Sequence, residues 1–110
     1  MKQINQNDFP VEVEQFDGVV LADFYADWCG PCRMLSPMLE KLAGENTDDK
    51  IKFVKINVDQ NQELAGKFGV MGIPTVAFFN KGKYAGEQVG VATPEFYKKA
   101  LEQVKNRKAE

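Results

Sequence analysis

Two kinds of hydrophobic pattern follow one another in the first half of the chain. Residues 19–26 form an apolar run of strand length between Gly18 and residues 28–31, which is typical of a strand buried on both faces. From Cys32 onward the apolar residues recur at helical spacing, and Gly44 is a plausible helix end. The pattern predicts a buried strand that leads into an amphipathic helix.

A second strand and a short helix follow. Residues 51–58 are predicted as a strand and residues 62–68 as a helix. Asn61 lies in front of this helix and is expected to cap it, while Gly69 lies directly behind it. The order of elements up to this point is therefore strand, helix, strand, helix.

Two strands and a closing helix are predicted for the last third of the chain. Residues 75–79 and 83–91 are separated by only three residues, a spacing typical of a tight antiparallel hairpin. Thr93 as cap and Pro94 at the first helical position indicate the start of the last helix. The first ten or so residues are ambiguous.

The order of these elements indicates the fold class. Strands that alternate with helices, followed by a hairpin and a helix, predict an α/β fold with a mixed central β-sheet and helices on both faces. The chain has 110 residues, 44% of them hydrophobic, and contains no internal repeat or linker-like segment. We therefore expect a single domain over residues 1–110 with a core that needs no disulfide scaffold.

Composition and charge exclude several classes of function. The chain has no His, which removes Ser-His and Cys-His catalysis and imidazole metal sites. With 14 Lys and Arg against 16 Asp and Glu, it has no basic field to attract nucleic acid or anionic lipid. The densest basic stretch falls at the C-terminal end, where cations suit a helix terminus; it comprises Lys98, Lys99, Lys105, Arg107 and Lys108.

No segment resembles a leader or a membrane span. The start, MKQINQNDFP, lacks the apolar stretch of about 7 to 15 residues that a secretory signal needs. Nothing later approaches about 18 apolar residues in a row. We therefore expect a cytoplasmic protein that acts away from membranes. We also expect a monomer, although no pattern in the sequence determines the oligomeric state.

The two cysteines, Cys29 and Cys32, form a C-x-x-C motif between the buried strand and its helix. A zinc site is one interpretation, but zinc takes four ligands, and one chain without His offers only two soft ones unless a symmetric dimer shares the site. A structural disulfide is another, although a bridge closing so short a loop stabilises by only about 2 kcal/mol. A catalytic redox pair is the third.

Local physics favours the redox pair. Cys29 begins the predicted helix, where free N–H groups and the positive end of the helix dipole stabilise a thiolate, so Cys29 is the expected nucleophile. Cys32 lies one turn further in, where we expect a less exposed thiol that attacks the mixed disulfide of Cys29 with a substrate. Trp28 is expected to line a docking surface beside the reactive thiol.

The segment W-C-G-P-C closely resembles the active site of the thioredoxin family. The resemblance extends over nearly the whole chain, because other segments also stand in thioredoxin-like order: residues 23–26, Pro37, residues 55–59, residues 72–75 and Gly90. Tyr25 departs from the family pattern, in which many members carry Trp. The resemblance implies the thioredoxin fold and general protein-disulfide reductase activity, with no bound cofactor.

Two charged residues in predicted strands are further candidates. Asp23 interrupts an apolar strand, and we expect it to be buried with a raised pKa and to transfer a proton with Cys32, the role of the matching Asp in thioredoxins. Lys55 by itself would be assigned to a solvated strand face. The family resemblance implies instead that Lys55 lies near the buried acid and tunes its charge.

The resemblance also implies a substrate-binding patch. Sequence alone favours a trans bond before Pro74, because few X-Pro bonds are cis, but the matching family proline is cis and lies beside the disulfide. Gly90 is a bulge by default, whereas its family counterpart borders the groove and lets a substrate chain approach. We expect a small, flat, uncharged surface that consists of Trp28, Gly30, Pro31, Ile73, Pro74 and Gly90.

The resemblance further implies recycling by a thioredoxin reductase that uses NADPH and FAD. Targets such as ribonucleotide reductase, peroxiredoxin or methionine sulfoxide reductase are implied in the same way. Two alternatives remain: a thiol oxidase or isomerase on the same fold, since direction depends on potential, and a non-catalytic binding or chaperone-like subunit. Replacing Cys29 with Ser separates them, because only a pure binding role survives that change.

Overall fold

Residues 1–107 are described by a computed structural model of the chain. Their elements, in order, are β1 (Lys2–Gln3), a π-helical turn (Pro10–Glu14), β2 (Val19–Tyr25), α1 (Gly30–Glu45), β3 (Ile51–Asn57), α2 (Gln62–Lys67), β4 (Thr75–Asn80), β5 (Lys83–Val89) and α3 (Pro94–Asn106). Lys108 of the C-terminal basic stretch lies outside the described residues.

The five strands form one mixed sheet in the order β1-β3-β2-β4-β5. β3 is parallel to both β1 and β2, whereas β4 is antiparallel to both β2 and β5. The predicted α/β class, mixed sheet and antiparallel hairpin are confirmed. β2 lies in the middle, so this apolar strand is flanked by strands on both sides.

Both faces of the sheet are covered, because successive side chains of a strand point to opposite faces. On one face, here called the α2 face, Val20, Ala22 and Phe24 of β2 belong to a cluster with Leu64 and Ala65 of α2. On the other, the α1/α3 face, the cluster contains residues of β2, α1 and α3: Val19, Leu21, Leu35, Leu39, Leu42, Tyr97, Leu101 and Val104. Asp23 shares the second face by alternation. Among residues 1–107, no helix is both long and apolar enough to cross a bilayer.

Several predicted element boundaries differ from the structure. Gly44 does not end α1, which continues to Glu45 and is capped by Asn46. The strand predicted to reach residue 91 ends at Val89, and the short helix ends at Lys67. Glycine lowers helix stability without forbidding helical dihedrals, so a single Gly in the last turn of a packed helix is tolerated.

Asn61 occupies the N-cap position of α2 but forms no side-chain cap, contrary to expectation. Its Oδ1 accepts from the backbone N–H of Gln6 at 2.8 Å, and its Nδ2 donates to the carbonyl of Asn57 at 2.9 Å. This buried amide therefore ties the N-terminal segment to the end of β3. The side-chain amide that was expected to cap the helix therefore forms its hydrogen bonds with backbone groups outside the helix.

Candidate active site

Cys29 and Cys32 form a disulfide at the start of α1, with their Cα atoms 5.3 Å apart. Cys29 is the N-cap residue, in an extended backbone conformation, and its Sγ accepts from the backbone N–H of Cys32 at 3.2 Å. Pro31 falls in the first turn, where its missing N–H removes no helical bond. The predicted position of the motif, between a buried strand and a helix, is confirmed.

The structure shows the disulfide form, in which both cysteines are buried, so the lower exposure of the Cys32 thiol stays a prediction for the reduced form. Cys29 is 4% exposed and Cys32 is 3% exposed. Both pack in a small apolar cluster with Ala26, against which Ile73 also lies. The bond itself explains this similarity, because the two sulfur atoms must share one location.

Trp28 is 68% exposed, so this large aromatic belongs to the surface rather than to the core. Its indole Nε1 donates to Oδ2 of Asp59 at 2.8 Å. Sequence reasoning assigned no role to Asp59, although a signal was available. Trp28 follows β2 and Asp59 follows β3, and the carboxyl ends of adjacent parallel strands meet at one edge of a sheet.

The loop before β4 contains the predicted cis bond between Ile73 and Pro74. The family-based expectation is therefore confirmed over the default of a trans bond. Ile73 is half-buried against the cysteine cluster, while Pro74 is fully buried. Pro74 thus supports the loop from beneath and does not itself form exposed surface. Met71, immediately before this loop, is almost fully exposed.

Gly90 is not a bulge, because β5 has already ended at Val89. It has a φ of 84°, a left-handed conformation that favours glycine, and its N–H donates to the carbonyl of Pro74 at 2.8 Å. The register irregularity of this hairpin lies instead between Phe78 and Phe79. This hydrogen bond holds Gly90 next to the cis-proline loop.

Charged groups border the predicted uncharged patch. Asp27 precedes Trp28 in the chain, Asp59 accepts its indole N–H, and both acids are exposed. The guanidinium of Arg33 donates twice, at 2.9 and 3.1 Å, to the carbonyl of Asp27. Gly30 and Pro31 of the patch are also exposed. The six predicted residues are uncharged, but the surface around them is not.

Asp23 is 1% exposed, in the middle of β2. Neither of its carboxylate oxygens has a hydrogen-bond partner among the described residues. Burial raises the pKa of this carboxyl to about 7, while the positive charge of Lys55 lowers it and the negative charge of Glu40 raises it further. The expectation of a buried acid with a raised pKa is confirmed.

Lys55 lies beside Asp23 in the register of β2 and β3. The ammonium is 4.0 Å from Oε1 of Glu40 and 5.9 Å from the centre of the Tyr25 ring. The side chain is 30% exposed. Both expectations for Lys55 therefore hold in part, because its side chain is partly exposed to solvent and also lies near the buried acid.

The arrangement suits reversible thiol–disulfide chemistry. A disulfide at a helix N-terminus can be opened to give a thiolate that the helix end stabilises, and a group that titrates near neutral pH lies on the preceding strand. An exposed indole precedes the disulfide in the chain, and Ile73 of the cis-proline loop packs against the cysteines.

Known proteins with the same features are numerous. A family model described as Thioredoxin matches residues 1–103. A thioredoxin of Bacillus subtilis (strain 168) is 46% identical over 107 residues, which cover 97% of this chain and 98% of that protein. A thioredoxin of Rhodospirillum rubrum is 43% identical over 90 residues, covering 82% and 86% respectively.

A solved structure agrees with these relatives. A point-mutant thioredoxin from Halobacterium salinarum NRC-1 superposes with a TM-score of 0.83 at 38% identity, and the match covers 98% of this chain and 95% of that one. Its fold matches the mixed sheet described above. The chain belongs to the thioredoxin family and is a thiol–disulfide oxidoreductase of the disulfide-reductase type.

Proposed function

We propose that the reduced Cys29/Cys32 pair reduces disulfides of substrate proteins through a mixed disulfide. The observation that carries this proposal is the position of Cys29 as N-cap of α1, with its sulfur accepting a backbone N–H. The same N–H groups and helix dipole stabilise a thiolate once the disulfide is opened. Cys29 is therefore the attacking sulfur.

The two steps balance in electrons and protons. The Cys29 thiolate attacks one sulfur of the substrate disulfide, forms a mixed disulfide and releases the other sulfur as a thiolate. The Cys32 thiol then loses its proton and attacks Sγ of Cys29, which forms the Cys29–Cys32 disulfide and releases the second substrate sulfur. Two electrons pass to the substrate, and the protein is left in the form described here.

Asp23 is proposed to accept the proton that Cys32 loses. A carboxyl group with a pKa of about 7 is divided between its two protonation states near neutral pH, so it can both take up and return a proton. Lys55 is proposed to tune this balance, because its charge favours the ionised form of Asp23.

The substrate is proposed to dock on Trp28, Gly30, Pro31, Ile73 and Gly90, while the buried Pro74 supports the loop of Ile73 from beneath. Trp28 provides an exposed aromatic anchor, and the backbone of the exposed Gly72 and the half-buried Ile73 is proposed to pair with an extended substrate chain. Thioredoxin family members work with a thioredoxin reductase and with disulfide substrates. For this chain we propose a cytoplasmic role in electron transfer from NADPH through an FAD-containing reductase to targets such as ribonucleotide reductase, peroxiredoxin or methionine sulfoxide reductase.

A trapping experiment tests the order of the cysteines. The Cys32→Ser variant, incubated with a disulfide-containing protein, should accumulate a mixed disulfide through Cys29 that dithiothreitol releases. The matched Cys29→Ser variant should accumulate none. Equal trapping by both variants would contradict the assignment, and full substrate binding and function of Cys29→Ser would favour a non-catalytic binding subunit.

The equilibrium potential of the pair tests the direction of transfer. Titration against a thiol–disulfide buffer, with Trp28 fluorescence as the probe, should give a potential below that of the cytosolic glutathione couple. A value of roughly −180 mV or above would indicate an oxidase or isomerase instead.

A further inference from the structure

Glu40 is the second charged group next to the buried acid, and the proposed function gives it no role. It lies on α1, two turns beyond the disulfide, and its side chain is 45% exposed. A groove in the surface is lined by Cys32, Ser36, Pro37 and Glu40. Glu40 therefore lines the same groove as Cys32, together with the charged residues Asp27 and Arg33.

Lys55 stands between two carboxylates but pairs with only one of them. Its Nζ lies 4.0 Å from Oε1 of Glu40. Among residues 1–107, no cation lies within that distance of Asp23, and its oxygens have no hydrogen-bond donor. The ammonium that could neutralise the buried acid is thus directed toward the half-exposed one.

Few other ionisable groups face Asp23. Tyr97 of α3 and Tyr25 of β2 interact with its charge, and burial raises the pKa of both phenols above their ordinary value. On β4 the residue in register with Asp23 is the apolar Val76. The terminal ammonium of Met1 lies 3.5 Å from Glu40. Lys55 and Glu40 are therefore the charged side chains that act on Asp23.

We propose that Glu40 is a positioning residue for Asp23: its carboxylate holds the Lys55 ammonium away from the buried acid, so that Asp23 keeps its proton to a higher pH. Two effects act in the same direction. Glu40 contributes its own negative charge, and it withholds a positive one. The role deepens the proposed function, in which Asp23 exchanges a proton with Cys32.

The test is the titration of Asp23 in the disulfide form, in which neither cysteine carries an exchangeable proton. The carboxyl carbon of Asp23 is followed by NMR against pH in the unmodified chain and in Glu40→Gln. The midpoint should fall by about 0.5 to 1 pH unit, the size expected for removing a half-exposed charge. The matched control is Glu45→Gln, the same change at an exposed position of the same helix, and it should leave the midpoint in place. An unchanged midpoint in Glu40→Gln would overturn the proposal.

A double-mutant cycle separates positioning from simple charge repulsion. Lys55→Met alone should raise the midpoint of Asp23, because it removes a favourable charge. In the Lys55→Met background, Glu40→Gln should shift the midpoint by less than half as much as in the unmodified chain. Equal shifts in both backgrounds would mean that Glu40 does not act through Lys55, and the positioning role would be wrong.

A kinetic measurement distinguishes this proposal from the one on which it rests. The pH profile of the Cys32 step, measured from decay of the mixed disulfide, should move downward in Glu40→Gln with the Asp23 midpoint. If the NMR midpoint moves and the kinetic profile does not, Glu40 still positions the charge at Asp23, whereas proton transfer from Cys32 to Asp23 is contradicted.

Discussion

Both faces of the central sheet are covered, but among residues 1–107 the one buried charged side chain, Asp23, lies on only one of them. On the α2 face every buried side chain of the cluster is apolar, and Phe9, Phe68 and Phe79 pack edge-on or tilted with ring centres 5.2 to 5.6 Å apart. On the α1/α3 face, Asp23 is buried without a hydrogen-bond partner among the described residues. One strand, β2, supplies both faces.

This difference indicates how the fold accommodates its chemistry. A buried carboxylate without partners destabilises the folded state, and the neutral form destabilises it less. Among the described residues, the opposite face holds no buried charged side chain, so the stability that it supplies depends little on pH. The reactive side can therefore hold a group that titrates near pH 7 because the other side secures the same strand.

The largest effect is expected on the rate of disulfide reduction, from a change at Cys29. Cys29→Ser should lower the rate of protein-disulfide reduction at least about 1000-fold, because a serine hydroxyl neither ionises near neutral pH nor forms a disulfide. Urea unfolding of the reduced proteins should differ little between the variant and the unmodified chain. A variant that still reduces protein disulfides would show that the reaction does not depend on Cys29.

The matching change on the α2 face should affect stability alone. Phe79→Ala removes a fully buried ring and should lower the free energy of unfolding by about 3 to 5 kcal/mol, measured by urea denaturation. The Cys29–Cys32 potential should remain unchanged under conditions where the variant is folded. Val11→Ala, at an exposed position, is the control and should change the free energy by less than about 0.5 kcal/mol. A shifted potential in Phe79→Ala would show that the two faces are coupled.

The buried acid should also make the stability of the protein depend on pH. The folded-state pKa of Asp23, about 7, lies above its ordinary value of 3.8, so the folded chain retains a proton that the unfolded chain releases. Stability from this group is complete below pH 3.8 and falls by up to about 4 kcal/mol as pH rises to 7. Asp23→Asn should abolish this decline.

Unfolding curves at about pH 5 and about pH 8, on either side of the Asp23 midpoint, measure this effect. Asp23→Asn should be more stable than the unmodified chain at the higher pH, and its advantage should shrink toward acid pH. It should also slow disulfide exchange, because the amide cannot accept a proton. A variant that is less stable at the higher pH and exchanges at an unchanged rate would contradict both roles of Asp23.

The smallest effect is expected from the loss of the hydrogen bond between Trp28 and Asp59. Asp59→Ala removes the acceptor of the Trp28 indole and should change stability by less than about 1 kcal/mol, since the bond is exposed. It should raise KM for a protein substrate a few-fold without changing kcat, because the anchor becomes less ordered. In a Trp28→Phe background the same change should have no effect on KM; a persisting effect would mean that Asp59 contacts substrate directly.

Much of the fold follows from local pattern. The run of apolar residues in β2 and the helical spacing in α1 required no knowledge of distant residues, and the three-residue spacing predicted the hairpin. Helix and strand ends were less accurate. Asn61 illustrates why: its amide binds Gln6 and Asn57, and no local rule foresees a partner 55 positions away.

In the site, too, local sequence predicts some features, and others depend on residues far away in the chain. Sequence alone placed Cys29 at a helix start, and therefore determined which sulfur the helix end can activate, because N-terminal N–H groups are a property of any helix. It also determined that Asp23 interrupts a buried strand. The cis bond at Pro74 came from the family resemblance, since intrinsic preference favours trans.

Only the tertiary structure decided what surrounds these groups. Glu40 is one acidic residue on a charged helix surface, and nothing in its local sequence distinguishes it from Glu45. It acquires a role because α1 packs across β2 and β3, which brings its carboxylate to the ammonium of Lys55. Charge interactions act through space and depend on distance and burial, so the electrostatics of Asp23 were determined by packing rather than by the order of residues.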